Sequence, residues 1–453
     1  MGNQVSWKER ISYGLGDTAS NLVFQMITMY LMFFYTDVYG LNVAAVGTLF
    51  LVARVIDAFD SPIIGVLIDR TNTKWGKSRP YFLWLALPFA IVAVLTFMTP
   101  DFGGTGKLVY AYVTYILLGI LYAAINLPLT SLLPSMTSNS QERTVVNSVR
   151  MIFGQLGGLV VSIGALPLVA AFGKGNQQQG FMWTMILFAA IAVVFFFTTF
   201  ANTRERVQTA DGNQAVPFRQ SVKALKGNVP WWLLLVINVF VWVAMTGKGQ
   251  STVFFLKYNL GREDLVPLVN GLNVLMLVGI ALMPLLTKRI GKRNTALLGM
   301  VLGALGQLIA YGAAVMSSIP VLLGAVIIGN VGIGFAAGLL FAMLADTVDY
   351  GEWKSGVRAQ GLLTAASSFG VKFGMGIGGA LAAWVLAIGQ YVPNQEQAAS
   401  GLAAIQFNFV WMPFICFVIC AVLFLFYKLD HVEQQMIGEL EAKRQGGATT
   451  LQA

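Results

Sequence analysis

The sequence predicts an all-α integral membrane protein with twelve transmembrane helices in two six-helix halves. Three observations carry this. Of 453 residues, 57% are apolar and only 11% charged, against roughly 25% charged in an ordinary soluble domain. The apolar residues gather into twelve stretches of about 20 residues or more, each long enough to cross ~30 Å of hydrocarbon as helix. Only one long polar connection interrupts the series, and it falls after the sixth stretch.

In order, the stretches are 11–36, 44–69, 80–99, 108–135, 145–171, 181–201, 230–256, 264–286, 295–315, 319–347, 359–389 and 401–428. The connection runs from Asn202 to Asn228 and carries Arg204, Arg206, Arg219, Lys223 and Lys226. The expected organisation is therefore a six-helix bundle over 1–201, a linker over 202–229, a second bundle over 230–430 and a tail over 431–453.

The loops fix the orientation. On the side of the termini and the linker lie Lys8, Arg10, Arg70, Lys74, Lys77, Arg79, Arg143, the five linker residues, Lys288, Arg289, Lys292, Arg293, Lys354, Arg358, Lys428, Lys443 and Arg444, which is 21 of the 29 basic residues. The opposite loops hold only Lys107, Lys174, Lys257 and Arg262. Positive charge is retained on the cytoplasmic face, so both termini are expected in the cytoplasm and the protein in the plasma (inner) membrane. The same placement assigns the net charge of +9 to the lipid bilayer and excludes a nucleic-acid surface.

Other chemistry is thinly represented. Cys416 and Cys420 share one apolar stretch, and the one histidine, His431, is in the tail, which leaves no metal-ligand or disulfide pattern. The run "GKGQST" lies inside a span, and the chain lacks a P-loop ending. Neither a metal nor a cofactor is expected.

Two pairs of segments echo each other across the halves. "DRTNTKWGKSRPY" follows the second span and "TKRIGKRNTALLG" the eighth; both are short, basic and glycine-bearing. "QERTVVNSVRMIFGQLGG" leads into the fifth span and "GEWKSGVRAQGLLTAASSFGVKFGMGIGG" into the eleventh, with Arg150 and Lys372 each a few residues ahead of a Gly-Gly. Related halves around a linker are the layout of secondary transporters that bind near the midplane.

The segment "ARVIDAFDSPIIG" places Arg54, Asp57 and Asp60 in an apolar span. Each charge at a helix centre costs about 2.5–3.5 kcal/mol on insertion scales, while a Leu, Ile or Phe returns only about 0.3–0.6. Pairing or a wet cavity must offset that cost. At spacing i, i+3, i+6, Asp57 neighbours both others. An Arg54–Asp57 salt bridge is one reading; a cation or proton shared by the carboxylates is the other. Four interior cations, Arg54, Arg150, Lys248 and Lys372, face three carboxylates, Asp17, Asp57 and Asp60, and the spare positive charge suits an anionic ligand. Amide, hydroxyl and aromatic groups suited to a sugar are Asn21, Tyr122, Asn126 and Thr130.

The runs "ISYGLGDTASN", "FFYTDVYGL", "FLVARVIDAFDSP", "DRTNTKWGKSRPY", "ADTVDYGEWKSGVRAQGL" and "YVPN" resemble the glycoside-pentoside-hexuronide cation symporters, the melibiose permease group of the major facilitator superfamily. The likeness covers essentially the whole chain. It implies an alternating-access symporter, not an enzyme, that imports a glycoside, either a pentoside such as a xyloside or a hexuronide such as a glucuronide.

The resemblance further implies that the acidic stretch of the second span carries the coupling cation. Arg54, Asp57, Asp60 and Ser61, with Asn126 of the fourth span, then form the coupling set. The family's second carboxylate precedes the proline, where this chain has Ser61, and its acidic residue before "IP" is Asn126 here. The loss of charge favours H⁺, with Na⁺ at Asp57 the alternative. The substrate set is Asp17, Asn21, Tyr122, Asn126, Thr130, Arg150, Lys248 and Lys372. Asn21 and Thr130 depart from the melibiose permease pattern, Arg150 and Lys372 match basic family positions, and Lys248 has no counterpart. A monomer is the expected working unit. Rival readings are a facilitator of another substrate class and, against the lack of any catalytic motif, a membrane enzyme.

Overall fold

The structure, a computed structural model, describes residues 5–440 except 72, 138, 207–224, 226, 357–359, 434 and 437. Among these the chain is helical, with a single isolated bridge between Thr73 and Gly76 in place of any strand. The helices are α1 Trp7–Phe33, α2 Val43–Arg70, α3 Arg79–Trp84, α4 Ala86–Thr96, α5 Gly104–Met136, α6 Ser140–Gly173, α7 Gln177–Asn202, α8 Val229–Phe254, α9 Val266–Gly271, α10 Met276–Val315, α11 Ile319–Ser355, α12 Gln360–Ile388, α13 Ala399–Gln406 and α14 Met412–Phe426. All twelve predicted spans coincide with helix to within a few residues.

Eight helical runs among the described residues are long and apolar enough to cross a membrane. The longest, Glu263–Val315, carries the eighth and ninth predicted spans. Gly291, at φ 83°, breaks the helix between them. The third span is likewise two pieces, α3 and α4, joined at Leu85.

Helix starts are set by polar side chains that accept from otherwise orphaned N–H groups. Ser6 caps α1 at Glu9 N, Asn42 caps α2 at Ala45 N, and Asn139 accepts from Gln141 N and Glu142 N at the start of α6. Within the spans backbone groups bond internally, as hydrocarbon demands. Side chains are then free to decide which faces pack.

The chain separates into two compact units. The first holds 1–212, 249–271 and 379–406, and the second 213–248, 272–378 and 407–453. In the first, α1 packs along α6 and α7. Gly14 and Gly16 let it approach closely, since a methyl at either would stand about 3 Å from Phe153 or from Thr199 and Leu129. The Tyr13 hydroxyl donates to the Leu129 carbonyl of α5 at 2.8 Å. In the second unit α10 lies against α11 glycine to glycine, with Gly299 facing Gly332 and Gly306 facing Gly329. Gly370, Gly374 and Gly378 of α12 fit against Leu235, Val239 and Val243 of α8 in the same way. Small residues at such seams are what draw helices together where no hydrophobic gain distinguishes protein from lipid.

The two echoing basic loops are built alike. After α2 the Glu205 carboxylate, just past α7, accepts from the backbone N–H of Lys77, Ser78 and Arg79. Arg79 in turn donates Nη2 to the Phe200 carbonyl at 2.7 Å. In the second unit Asp430 accepts from Arg293 N at 2.9 Å, and Arg293 donates to the Phe424 and Leu425 carbonyls at 2.8 and 2.7 Å. Each loop turns on a positive-φ glycine, Gly76 at 106° and Gly291 at 83°. In each, an arginine satisfies the open carbonyls at the end of that half's last helix.

A further repeat lies at the other ends of α1 and α8. Both close in a π-helical turn, Phe34–Val38 and Phe255–Asn259, and both leave it through a glycine at positive φ, Gly40 at 75° and Gly261 at 63°. The hydrogen bonds match one for one. Tyr39 N reaches Phe34 O and Leu41 N reaches Tyr35 O; Leu260 N reaches Phe255 O and Arg262 N reaches Leu256 O.

Candidate substrate and coupling site

Asp17, Asn21 and Gln25 recur every four residues on α1 and so stack along one side of the helix. Arg150, Gly154 and Gly158 repeat the spacing on α6, which packs against it. A methyl at Gly154 would collide with the Asp17 carboxylate, and one at Gly158 would stand 3.2 Å from Gln25 Nε2. The missing side chains on α6 are therefore what make room for the polar ones on α1. Asn21 Nδ2 donates to the Asp17 carbonyl at 2.9 Å.

Arg150 lies within electrostatic reach of Asp17 and Tyr13, yet forms no ion pair with Asp17 among the described residues. Its Nε is buried and has no hydrogen-bond partner among them. That Nε–H is one donor of the guanidinium that the described residues leave open. The aromatic face comes from Tyr122, stacked on Phe24 with ring centroids 5.3 Å apart. Asn126, one turn further, donates to the Tyr122 carbonyl at 3.1 Å. Thr130 is exposed and turns its hydroxyl back to the Leu127 carbonyl at 2.8 Å.

On α2, Arg54 Nη1 and Asp57 Oδ2 are 2.8 Å apart, with both side chains largely buried. Helix α5 passes so close that a methyl at Gly119 would stand 2.8 Å from Asp57 Oδ1. Tyr115 and Tyr122 lie within electrostatic reach of Arg54. The charge pair and Tyr122 thus share α5 as a common wall. The side chains of Asp60 and Ser61 lie outside the described residues.

Lys248 and Lys372 belong to the second unit. Lys248 Nζ sits 5.3 Å over the Phe409 ring. With the Gln307 amide oriented to satisfy both its neighbours, its oxygen accepts from Lys248 Nζ at 2.9 Å and its nitrogen donates to the Phe409 carbonyl at 3.1 Å. Lys372 is half-buried on α12, midway between Gly370 and Gly374.

Sequence reasoning passed over Phe24, Gln25 and Gly119, and met Gly158 only as part of the Gly-Gly that follows Arg150. The signal available was the four-residue period, visible once α1 and α6 are read face by face. It also passed over Asp37, whose side chain is wholly buried in the first unit. Tyr258 and Tyr391 donate to its Oδ1 at 2.5 and 2.7 Å, and Thr36 to Oδ2 at 2.7 Å. Asn394 donates Nδ2 to the Asp37 carbonyl at 2.7 Å. Lys257 Nζ completes the ring, 3.7 Å from the carboxylate and 3.2 Å from Asn394 Oδ1.

Known proteins resemble this chain along nearly its whole length. The chain is 50% identical over 443 residues, 97% of its length and 92% of the relative's, to an isoprimeverose transporter of Lactiplantibacillus pentosus. It is 34% identical over 447 residues, 96% of its length and 94% of the relative's, to a chain assigned as a glycoside/cation symporter in Escherichia coli (strain K12). The crystal structure of a D-xylose-proton symporter shares the fold at TM-score 0.64 and 15% identity, over 92% of this chain and 97% of that one. A family model described as MFS/sugar transport protein matches residues 12–431. The family is one of transporters, which removes the membrane-enzyme reading, and with its apolar helical runs this chain is a multi-pass member of the MFS/sugar transport protein family.

Proposed function

We propose that this chain imports a xyloside of the isoprimeverose kind, a xylosyl-glucose disaccharide, together with a proton. It works by alternating access as a monomer in the plasma (inner) membrane, with both termini cytoplasmic. The observation that carries the reading is the polar wall of Asp17, Asn21 and Arg150 with an aromatic face at Tyr122, beside the buried Arg54–Asp57 pair, in a chain half identical to an isoprimeverose transporter. Amides, a carboxylate and a guanidinium answer sugar hydroxyls, and a flat ring answers the apolar face of a pyranose.

The proton assignment rests on Asp57. Its Oδ2 already receives Arg54 at 2.8 Å, so sodium would have to displace a guanidinium and find further oxygens. A proton needs only the carboxylate, and protonation loosens the ion pair, so loading and a conformational change are linked in one step. A hexuronide is the second reading, favoured by the Arg150 Nε that is buried without a partner among the described residues.

In proteoliposomes with an inside-alkaline pH gradient and no sodium, the purified protein should accumulate labelled isoprimeverose above its outside concentration. Strict dependence on Na⁺ would reject the ion. Uptake of a glucuronide without uptake of any xyloside would select the second reading.

A further inference from the structure

The wall on α1 runs one turn further than the residues so far given roles. Asp17, Asn21 and Gln25 span eight residues, about 12 Å along the helix axis, which is the length of two linked pyranose rings rather than one. Asp17 lies within electrostatic reach of Arg150, and Gln25 lies two turns along the helix at Gly158. The half-buried Gln25 amide makes no side-chain hydrogen bond among the described residues, whereas Asn21 and Asn126 each donate to a carbonyl of their own helix. An amide in a membrane span that is not satisfied by its neighbours is costly unless water or a ligand meets it. Gly158 gives it that room, since a methyl there would stand 3.2 Å from Nε2 and 3.4 Å from Cγ.

Beyond Gln25, Thr28 turns its hydroxyl back to the Phe24 carbonyl at 2.8 Å. Tyr30 donates to the Ser162 carbonyl at 3.4 Å and receives Asn270 Nδ2 at 3.4 Å, and the ring pair Phe33–Phe254 follows at 5.7 Å. Gln25 is thus the last amide or charged side chain on α1 before a plug of mutually satisfied or apolar side chains.

We infer that Gln25 is a specificity-determining residue that hydrogen-bonds the second ring of a disaccharide whose first ring is held at Asp17, Asn21 and Arg150. The inference rests on the functional reading above and deepens it: the site is cut for a disaccharide, and a single pentose fills only its Arg150 end. Gln25 selects between the two by offering one amide donor and one acceptor where a lone ring does not reach. Gly158 is the notch that keeps the amide in place.

The test is direct binding to purified full-length protein by calorimetry, with isoprimeverose and methyl α-xyloside as the two probes. Gln25→Met, close in size but unable to donate, should weaken isoprimeverose by about three- to tenfold, the worth of one neutral hydrogen bond, and leave methyl α-xyloside unchanged. Gly158→Ala, which pushes the amide from its notch, should do the same. Thermal melting of both variants with the wild type checks that each is folded, and Gln25→Glu, which keeps the length and an acceptor, should recover part of the affinity. An equal loss for both sugars, or none for either, would overturn the inference while leaving the functional reading intact. A wild type that binds neither xyloside would overturn the functional reading and this inference with it.

Discussion

Asp37 and Tyr258 occupy the same place in two copies of one helix ending, and the Tyr258 hydroxyl donates to Asp37 Oδ1 at 2.5 Å. With Tyr391, Asn394 and Lys257 the pair ties the ends of α1, α8 and α12 together. Such a cluster must come apart whenever this end of the first unit opens. Each hydrogen bond to a charged group contributes about 1.5–3 kcal/mol, so losing one should raise the open population by about 10-fold or more. Tyr391→Phe is the mildest cut. With Ser251→Cys as a reporter, buried in α8, the mutant should react with an impermeant thiol reagent at least several-fold faster than its parent. Equal labelling rates would show that the cluster does not hold this end shut.

Gly119 should be as sensitive as the charge it faces. Alanine there would press on Asp57 Oδ1 from 2.8 Å, and overpacking of this kind costs about 1–3 kcal/mol. The cost is met by moving the carboxylate off Arg54. Gly119→Ala and Asp57→Asn should both lose uphill sugar accumulation under a pH gradient and keep downhill exchange, which moves no net proton. Normal accumulation by Asp57→Asn would reject its coupling role.

Arg150 and Lys372 should act on substrate rather than on stability. Arg150→Gln and Lys372→Gln are each expected to weaken sugar binding in detergent by about tenfold or more, the worth of a charge-assisted hydrogen bond, with little change in melting temperature. If melting falls and affinity holds, both are structural.

Orientation underlies each assignment. Cysteines placed beside Lys74 and Lys292 should be shielded from impermeant reagents in intact cells, and cysteines beside Asp101 and Asn394 should react. Labelling of the first pair from outside would invert the topology.

The spans were legible because burial in lipid makes hydrophobicity the dominant constraint on every residue of a crossing helix, so even α3 and α4, broken at Leu85, read as one stretch. The echo of the basic loops was legible because glycine and arginine are both required by the turn that Glu205 or Asp430 anchors. The echo of the π-turns was not. Phe33-Phe34 and Phe254-Phe255 survive in it, but the polar residues have diverged to Thr36-Asp37 on one side and Lys257-Tyr258 on the other. Arg54 and Asp57 were visible as costly charges, and their spacing offered a salt bridge as one of two readings, the one the structure shows. Gln25 and Gly119 were invisible for the opposite reason. An amide and a glycine carry no net charge, and what gives them meaning is a neighbour on another helix, Gly158 in one case and Asp57 in the other. Lys248 illustrates the same limit, since Gln307 and Phe409 lie far from it in sequence.

The matched helix endings differ in a way that only a single chain allows. In an assembly of two identical chains about a two-fold axis, a residue on the axis meets its own copy. Phe33 and Phe254, equivalent in the two endings, still meet in that way, edge to face at 5.7 Å. At the next equivalent position identity would set carboxylate against carboxylate, or phenol against phenol. Within one chain the two positions need not match, and here an acid meets a hydroxyl. Two identical chains could not make that contact on a shared axis, because each would bring the same group to it.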